Sequence, residues 1–158
     1  PINSQRVEAF NAVMADYPDI NILDSQATDW NPQKALSVTE DLLGSNPQVD
    51  AIWAGDDDVL VSALHAVEEN ERDDVKLIVG GGGSQQVIEM IRNDHPVVRG
   101  TVTYPPNMIA SAIALAVHGV KGERLGDMYH GVPSRVILAA DLITGGNVEE
   151  FYQPEAAY

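Results

Sequence analysis

Apolar positions along this chain alternate between two rhythms. In residues 3–17, Val7, Phe10, Met14 and Tyr17 fall three or four apart, which predicts a helix with one inward stripe. "DINILDS" follows and predicts a strand. "NPQKALSVTEDLLGSNP" predicts the next helix, with Asn31 placed to cap it, Pro32 in its first turn and Gly44 to stop it. "VDAIWAG" predicts a strand, and "DDDVLVSALHAVEEN" a helix that turns Leu60, Leu64 and Val67 inward. "VKLIVG" and "VRGTVTY" predict strands, with "SQQVIEMIRND" a helix between them. "PNMIASAIALAVHGV" predicts a helix apolar nearly all round, and "SRVILAA" a last strand before an irregular tail.

The predicted strands begin near Asp19, Val49, Val75 and Val98, one strand-plus-helix unit apart. That cadence, with buried β-branched strands, argues an α/β layer around a parallel sheet. In such a sheet every strand-to-helix turn emerges at one edge, and ligands sit in the crevice outside it. The turns here are 25–31, 55–58, 80–84 and 103–106, with the start of the first helix beside them. Arg6, Trp30, Asp56, Asp57, Asp58, a glycine run and Tyr104 are thereby gathered at that edge. The set suits a carbohydrate, because hydroxyls accept from a guanidinium and donate to a carboxylate while a ring face stacks on an aromatic.

Four consecutive glycines in "LIVGGGGSQQV" are unusual, since glycine inside an element costs about 0.5–1 kcal/mol relative to alanine. Phosphate, a sugar and close helix–strand packing are the candidate reasons. A dinucleotide fingerprint fails because Gln85 or Gln86 stands at the last glycine position, and a Walker loop fails for want of a lysine. Tight packing accounts naturally for one or two of the four. Asp57 and Asp58 have a structural reason to open a helix, where carboxylates meet the positive end of its dipole; Asp56 is the one placed to point outward. Three adjacent carboxylates without calcium-loop spacing do not make a metal site. Trp30, taken alone, is equally suited to covering the edge of the core, and Arg6 to pairing with Glu8. His65, His95, His118 and His130 lack metal-ligand spacing, and no Ser/His/Asp nucleophile turn is present. Nothing in the pattern demands catalysis, a cofactor or a metal.

Composition narrows the partners. The chain has 158 residues, enough for one ordinary domain, and no cysteine. Twenty-four Asp and Glu against nine Lys and Arg give a net charge of −15. That field repels phosphate backbones and anionic membranes, which argues against nucleic acid as a partner.

The stretches "RVEAF", "YPDINILDSQATDW", "KALSVTEDLLGSNPQVDAIWAGDDDVLVSAL", "KLIVGGGG", "GTVTYPP" and the closing "GGNVEEFYQPEAAY" resemble, in order and spacing, the back half of periplasmic sugar-binding proteins. These are the ribose/galactose-type, type I solute receptors of ABC importers, related to the ligand domain of LacI-type repressors. The resemblance implies a doubly wound, Rossmann-like parallel sheet with flanking helices and a sugar or polyol ligand. It also implies an ABC permease as partner, a periplasmic or extracellular location, no cofactor and no enzymatic activity. It places Arg6 on the family's sugar-binding arginine, Trp30 on an aromatic that stacks on the ring, and Asp56 where relatives carry a ligand-binding asparagine. Asp57 falls on the aspartate that follows, Gly82 takes the place of a second acidic contact, and Tyr104 replaces a polar contact. Either Asp56 supplies the acid missing at Gly82, or the vacated space admits a bulkier ligand or water.

The same resemblance divides the chain into a ligand-binding lobe (1–104), a segment returning to an absent N-terminal lobe (105–140) and a hinge and tail (141–158). It implies a fragment whose apolar helix at 106–120 lacks its cover and is available for self-association. The sensor domain of a LacI-type repressor is the alternative reading, and a phosphate-handling α/β enzyme a third.

Overall fold

The computed structural model describes residues 2–104, 108–122 and 136–155. The elements are α1 (Ile2–Met14), α2 (Pro32–Ser45), β1 (Ala51–Trp53), α3 (Asp57–Glu69), β2 (Leu77–Val79), α4 (Gln85–Arg92), β3 (Val98–Val102), α5 (Met108–Lys121) and β4 (Leu142–Thr144). A single 3-10 turn, Val148–Glu150, follows β4. The sheet runs β1-β2-β3-β4, with β1, β2 and β3 parallel and β4 antiparallel to β3.

Local chemistry sets the helix starts. The Asn31 side chain accepts from the Lys34 N–H at 2.9 Å and Pro32 fits the first turn of α2. α2 runs one residue past Gly44, and Asn46 closes it through its N–H to the Leu42 carbonyl. In α3 the expected inward residues Leu60, Leu64 and Val67 are all buried. They join Ile78 and Val98 of the sheet, Val87, Ile88 and Ile91 of α4, and Ile143 and Val148 beyond it in one core. Each such side chain contributes about 1.5–3 kcal/mol on burial.

The outer pieces depart from the sequence pattern. α1 has Val7, Phe10 and Met14 half-buried, but Tyr17 is exposed; the helix is pinned by Phe10 stacking on Trp53, ring centroids 4.4 Å apart. "DINILDS" is not a strand: residues 20–27 run free, and among the described residues no backbone group of 21–27 bonds to another backbone group. A strand exists only through its neighbour's hydrogen bonds, and none is present beside it. "SRVILAA" is not a strand either. Residues 136–140 are exposed and unpaired, while 134–135 lie outside the described residues. The fourth strand is instead Leu142–Thr144, antiparallel, in what the sequence pattern left as irregular tail. That tail packs back on α4: Arg92 pairs with Glu149 at 2.7 Å, stands 4.2 Å from the Tyr152 ring, and Gln85 donates to the Pro154 carbonyl. α5 has no buried residue, as its all-round apolarity led one to expect, with Val120 90% exposed.

A knot at the far edge of the sheet from the candidate site ties four segments together. Arg72 donates twice to Asp74, at 2.7 Å each, and to the carbonyls of Leu43 and Asn46 at the end of α2. Asp74 also accepts from the Val49 N–H at 2.7 Å. The guanidinium first, and the Val49 amide next, hold the Asp74 carboxyl well below the ordinary carboxylate range. A depressed folded value stabilises above the unfolded one and is lost as pH falls through the folded one. Asp74→Asn should therefore lower the melting temperature at pH 7, and the difference from wild type should shrink progressively below about pH 4. Circular dichroism melts at pH 7 and pH 3 check this.

Candidate functional site

The strand ends Trp53, Val79 and Val102 share one edge of the sheet, and the turns after them carry Gly55, Asp56, the glycine run and Tyr104. Arg6 reaches this edge from α1. Its Nη1 donates to the Gly55 carbonyl at 2.5 Å. Its guanidinium carbon lies 5.5 Å from the Trp30 ring centroid and 5.3 Å from that of Tyr104, within the ~6 Å reach of cation–π attraction. The ion pairs formed among the described residues join Lys34 to Asp29, Arg72 to Asp74, Arg92 to Glu149 and Arg99 to Asp94; none uses Arg6. In a chain of net charge −15, one cation is thus held by a carbonyl and two aromatic faces rather than by a carboxylate.

Asp56 neighbours this group and also caps α3, its Oδ1 accepting from the Val59 N–H at 2.8 Å. Partial burial raises its carboxyl above the ordinary value and the charge of Asp58 adds to that, while the Val59 amide and the charge of Arg6 oppose it. A carboxylate has about four acceptor positions, so the cap leaves capacity for a hydroxyl.

Asp57 does not reach the rim. It is 1% exposed, its Oδ1 accepts from the Thr101 hydroxyl at 2.7 Å and its Oδ2 from the Ser84 N–H at 2.7 Å. It is a tether from α3 to β3 and to the glycine turn, more specific than the helix-dipole role its position suggested.

The glycine run resolves position by position. A Cβ on Gly80 would stand 2.5 Å from Asp57 Oδ1 and 2.8 Å from Leu60 Cδ1, so close packing excludes any side chain there. Gly82 and Gly83 have φ of 150° and 70°, conformations side-chain-bearing residues rarely adopt. Gly82 donates to the Val102 carbonyl at 2.7 Å and accepts from the Tyr104 N–H at 3.0 Å, which carries the sheet one step further and sets Tyr104 beside Arg6. An acidic side chain at 82 would need a different backbone. Nothing in the structure explains Gly81.

Beside Arg6 an open cleft of about 500 Å³ is lined by Asn3 and Val7 of α1, residues 25–30 including Trp30, and Trp53, Gly55 and Val59. Its polar wall, Asn3, Gln26 and Thr28 among others, escaped the sequence pattern because no single residue there has a distinctive spacing.

A family profile described as a periplasmic binding protein domain matches residues 1–124. The chain belongs to that family. This periplasmic binding protein chain is 30% identical over 144 residues to a D-apiose import binding protein of Paraburkholderia graminis, covering 90% of this chain and 43% of the relative. It is 32% identical over 122 residues to a ribose import binding protein of Haemophilus influenzae, covering 77% of this chain and 40% of the relative. Among solved structures, an ABC transporter periplasmic solute-binding protein from Actinobacillus succinogenes with bound D-allose matches at a TM-score of 0.81 and 26% identity, over 93% of this chain and 50% of that one. A solute-binding protein of Mycobacterium smegmatis with bound glycerol matches at 0.78 and 26%, over 92% and 48%. The chain spans about half, or less, of the length of these relatives. Within the family's α/β fold, the structure gathers Arg6, Trp30, Asp56, Gly82 and Tyr104 at one edge and sends Asp57 inward. Among the described residues, no group of three or more His, Asp or Glu is arranged to hold a metal, and no helix is long and apolar enough to cross a membrane.

Proposed function

We propose that this chain is the C-terminal ligand-binding lobe (1–104, with the 142–144 strand returning to it) of a solute-binding protein of an ABC importer. It takes a neutral sugar or polyol at the Arg6 rim and closes on it with a second lobe in the periplasm. The observation that carries the reading is the placement of Arg6: cationic, in no ion pair among the described residues, and beside two aromatic rings at the strand-end edge. The guanidinium donates to hydroxyls, Trp30 or Tyr104 stacks on the apolar face of the ring, and Asp56 accepts from a hydroxyl in place of the acid absent at Gly82. Ligand contacts from both lobes stabilise the closed state that a permease recognises. Residues 105–140 return to the second lobe, whose contact covers the exposed face of α5.

A thermal-shift screen of the protein produced from its full gene, against pentoses, hexoses and polyols at millimolar concentration, tests the reading. Ligand at a hundred times its dissociation constant adds about 2.7 kcal/mol to stability, so at least one compound should raise the melting temperature by several degrees; a flat screen overturns it. Asp56→Asn then separates two roles, because asparagine caps a helix as well as aspartate does. The variant should melt close to wild type yet bind the selected sugar about tenfold more weakly. Unchanged binding would leave Asp56 a cap and nothing more.

A further inference from the structure

Trp30 reaches the rim by an unusual backbone path. The Asn31 N–H donates to the Thr28 carbonyl at 3.0 Å, which closes a four-residue turn with Asp29 and Trp30 at its centre. Both central residues have positive φ, 52° and 57°, as in the primed β-turns that glycine, asparagine and aspartate dominate. Asp29 suits such a place, because a short polar side chain tolerates the left-handed region. Trp30 does not: for a bulky residue a positive φ is a genuine outlier. Glu71 and Asp94 share the conformation, but each follows the end of a helix, where a left-handed residue is ordinary. Trp30 instead precedes one. Its indole is 49% exposed, so burial in the core does not hold it there. Strained backbone persists only where neighbouring contacts over-determine it, and it gathers at ligand clamps.

The over-determining contacts come from the start of α2. Lys34 Nζ donates to Asp29 Oδ2 at 2.5 Å, and the Lys34 N–H donates to the Asn31 side chain at 2.9 Å. One residue thus grips the turn at two points. That grip is anchored, because the next residue, Ala35, is fully buried and its N–H bonds to the Asn31 carbonyl at 2.8 Å. We propose that Asp29 and Lys34 are positioning residues for Trp30: their ion pair ties the left-handed turn to the fixed start of α2 and presents the indole to the rim in one orientation before a ligand arrives. A ring ordered in advance loses less freedom on binding. That Trp30 then stacks on a sugar rests on the function proposed above; the tie itself does not. Both side chains of the pair are largely exposed, at 45% and 73%, so salt screens their attraction.

Fluorine NMR of the protein produced from its full gene and labelled with 5-fluorotryptophan tests the tie without any ligand, Trp30→Phe identifying the Trp30 resonance. That resonance should be single and sharp in wild type and in Lys34→Arg, which keeps the pair. It should split or broaden in Lys34→Met and in Asp29→Asn, while both variants melt within a few degrees of wild type. Asparagine keeps the tolerance for the left-handed region, so a change at position 29 traces to the lost charge. The two changes remove one contact, and the double variant should look like either single. About 1 M salt should move the wild-type spectrum toward that of Lys34→Met and leave Lys34→Met as it was. A sharp, unshifted Trp30 resonance in Lys34→Met would overturn the proposal, as would an equal response of the two proteins to salt. With a sugar selected by the thermal-shift screen, Lys34→Met should bind about two- to fivefold more weakly, the range an exposed pair can supply, and Lys34→Arg should match wild type. Unchanged affinity in Lys34→Met would overturn the role in binding. A flat screen beside a broadened resonance would sink the sugar reading and leave the tie standing.

Discussion

Asp57→Ala should destabilise this protein more than any other single change in the described fold, by about 3–5 kcal/mol in urea denaturation. The substitution strands a buried Thr101 hydroxyl and the Ser84 N–H at once, and each unsatisfied buried group costs about 1–3 kcal/mol, with cavity formation added. Gly80→Ala attacks the same point from the other side. Its methyl group would arrive 2.5 Å from the Asp57 carboxylate and 2.8 Å from Leu60, and overpacking of this kind costs about 1–3 kcal/mol. The two changes share one contact, so the double variant should lose less than the sum of the singles. A pH dependence identifies the carboxylate as the cause. Burial raises the Asp57 carboxyl above its ordinary value, against the Ser84 and Thr101 hydrogen bonds. A raised folded value adds stability as the group protonates, and that addition is lost as pH rises through the folded value. The deficit of Asp57→Asn relative to wild type should therefore be larger at about pH 4, the ordinary carboxylate value, than at pH 7.5. A deficit independent of pH, or a loss under about 1 kcal/mol for Asp57→Ala, would remove the tether from the account.

The elements legible in the sequence are those whose own residues complete them. α3 was readable because Leu60, Leu64 and Val67 carry the helical period and all three reach the core. α2 was readable from the asparagine and proline at its start. Strand identity is different, because a strand is half defined by its neighbour. Residues 19–25 have strand composition, yet they lack a neighbour among the described residues and run unpaired. "RVILAA" outscored "LIT" by apolar length, but the three shorter residues fit the open edge of β3, where Thr101 and Ile143 lie opposite each other.

The candidate site shows the same division. Tyr104 could be placed from topology, since parallel strands deliver their turns to one edge; Trp30 reaches the same rim although the strand expected before it does not form. The inward path of Asp57 could not: three adjacent aspartates are alike as letters, and only the turn of α3 decides that the second faces Thr101 and Ser84. The Arg72 knot was hidden for a related reason, as its partners include backbone carbonyls of Leu43 and Asn46 that no side-chain pattern records.

Arg6→Lys should weaken binding of the selected sugar about a hundredfold in isothermal titration, while the melting temperature of the unliganded protein changes little. Lysine keeps the charge but loses the planar fork and presents a compact, strongly hydrated ammonium. The Gly55 carbonyl already takes one arginine donor; the remaining donors are those a pair of hydroxyls needs, and lysine cannot serve the carbonyl and two hydroxyls in the same geometry. Hydrogen bonds to charged groups contribute about 1.5–3 kcal/mol each, so losing one or two gives a factor of this size. The two aromatic rings, 5.5 and 5.3 Å from the guanidinium carbon, sharpen the distinction, because a guanidinium is less strongly hydrated than an ammonium and sits more readily against aromatic surface. If the arginine served only to fasten α1 to the Gly55 turn, the variant would lower the melting temperature and leave affinity within threefold of wild type. That pattern would withdraw the rim as the ligand site, and with it the placement of Trp30 and Asp56 around the sugar.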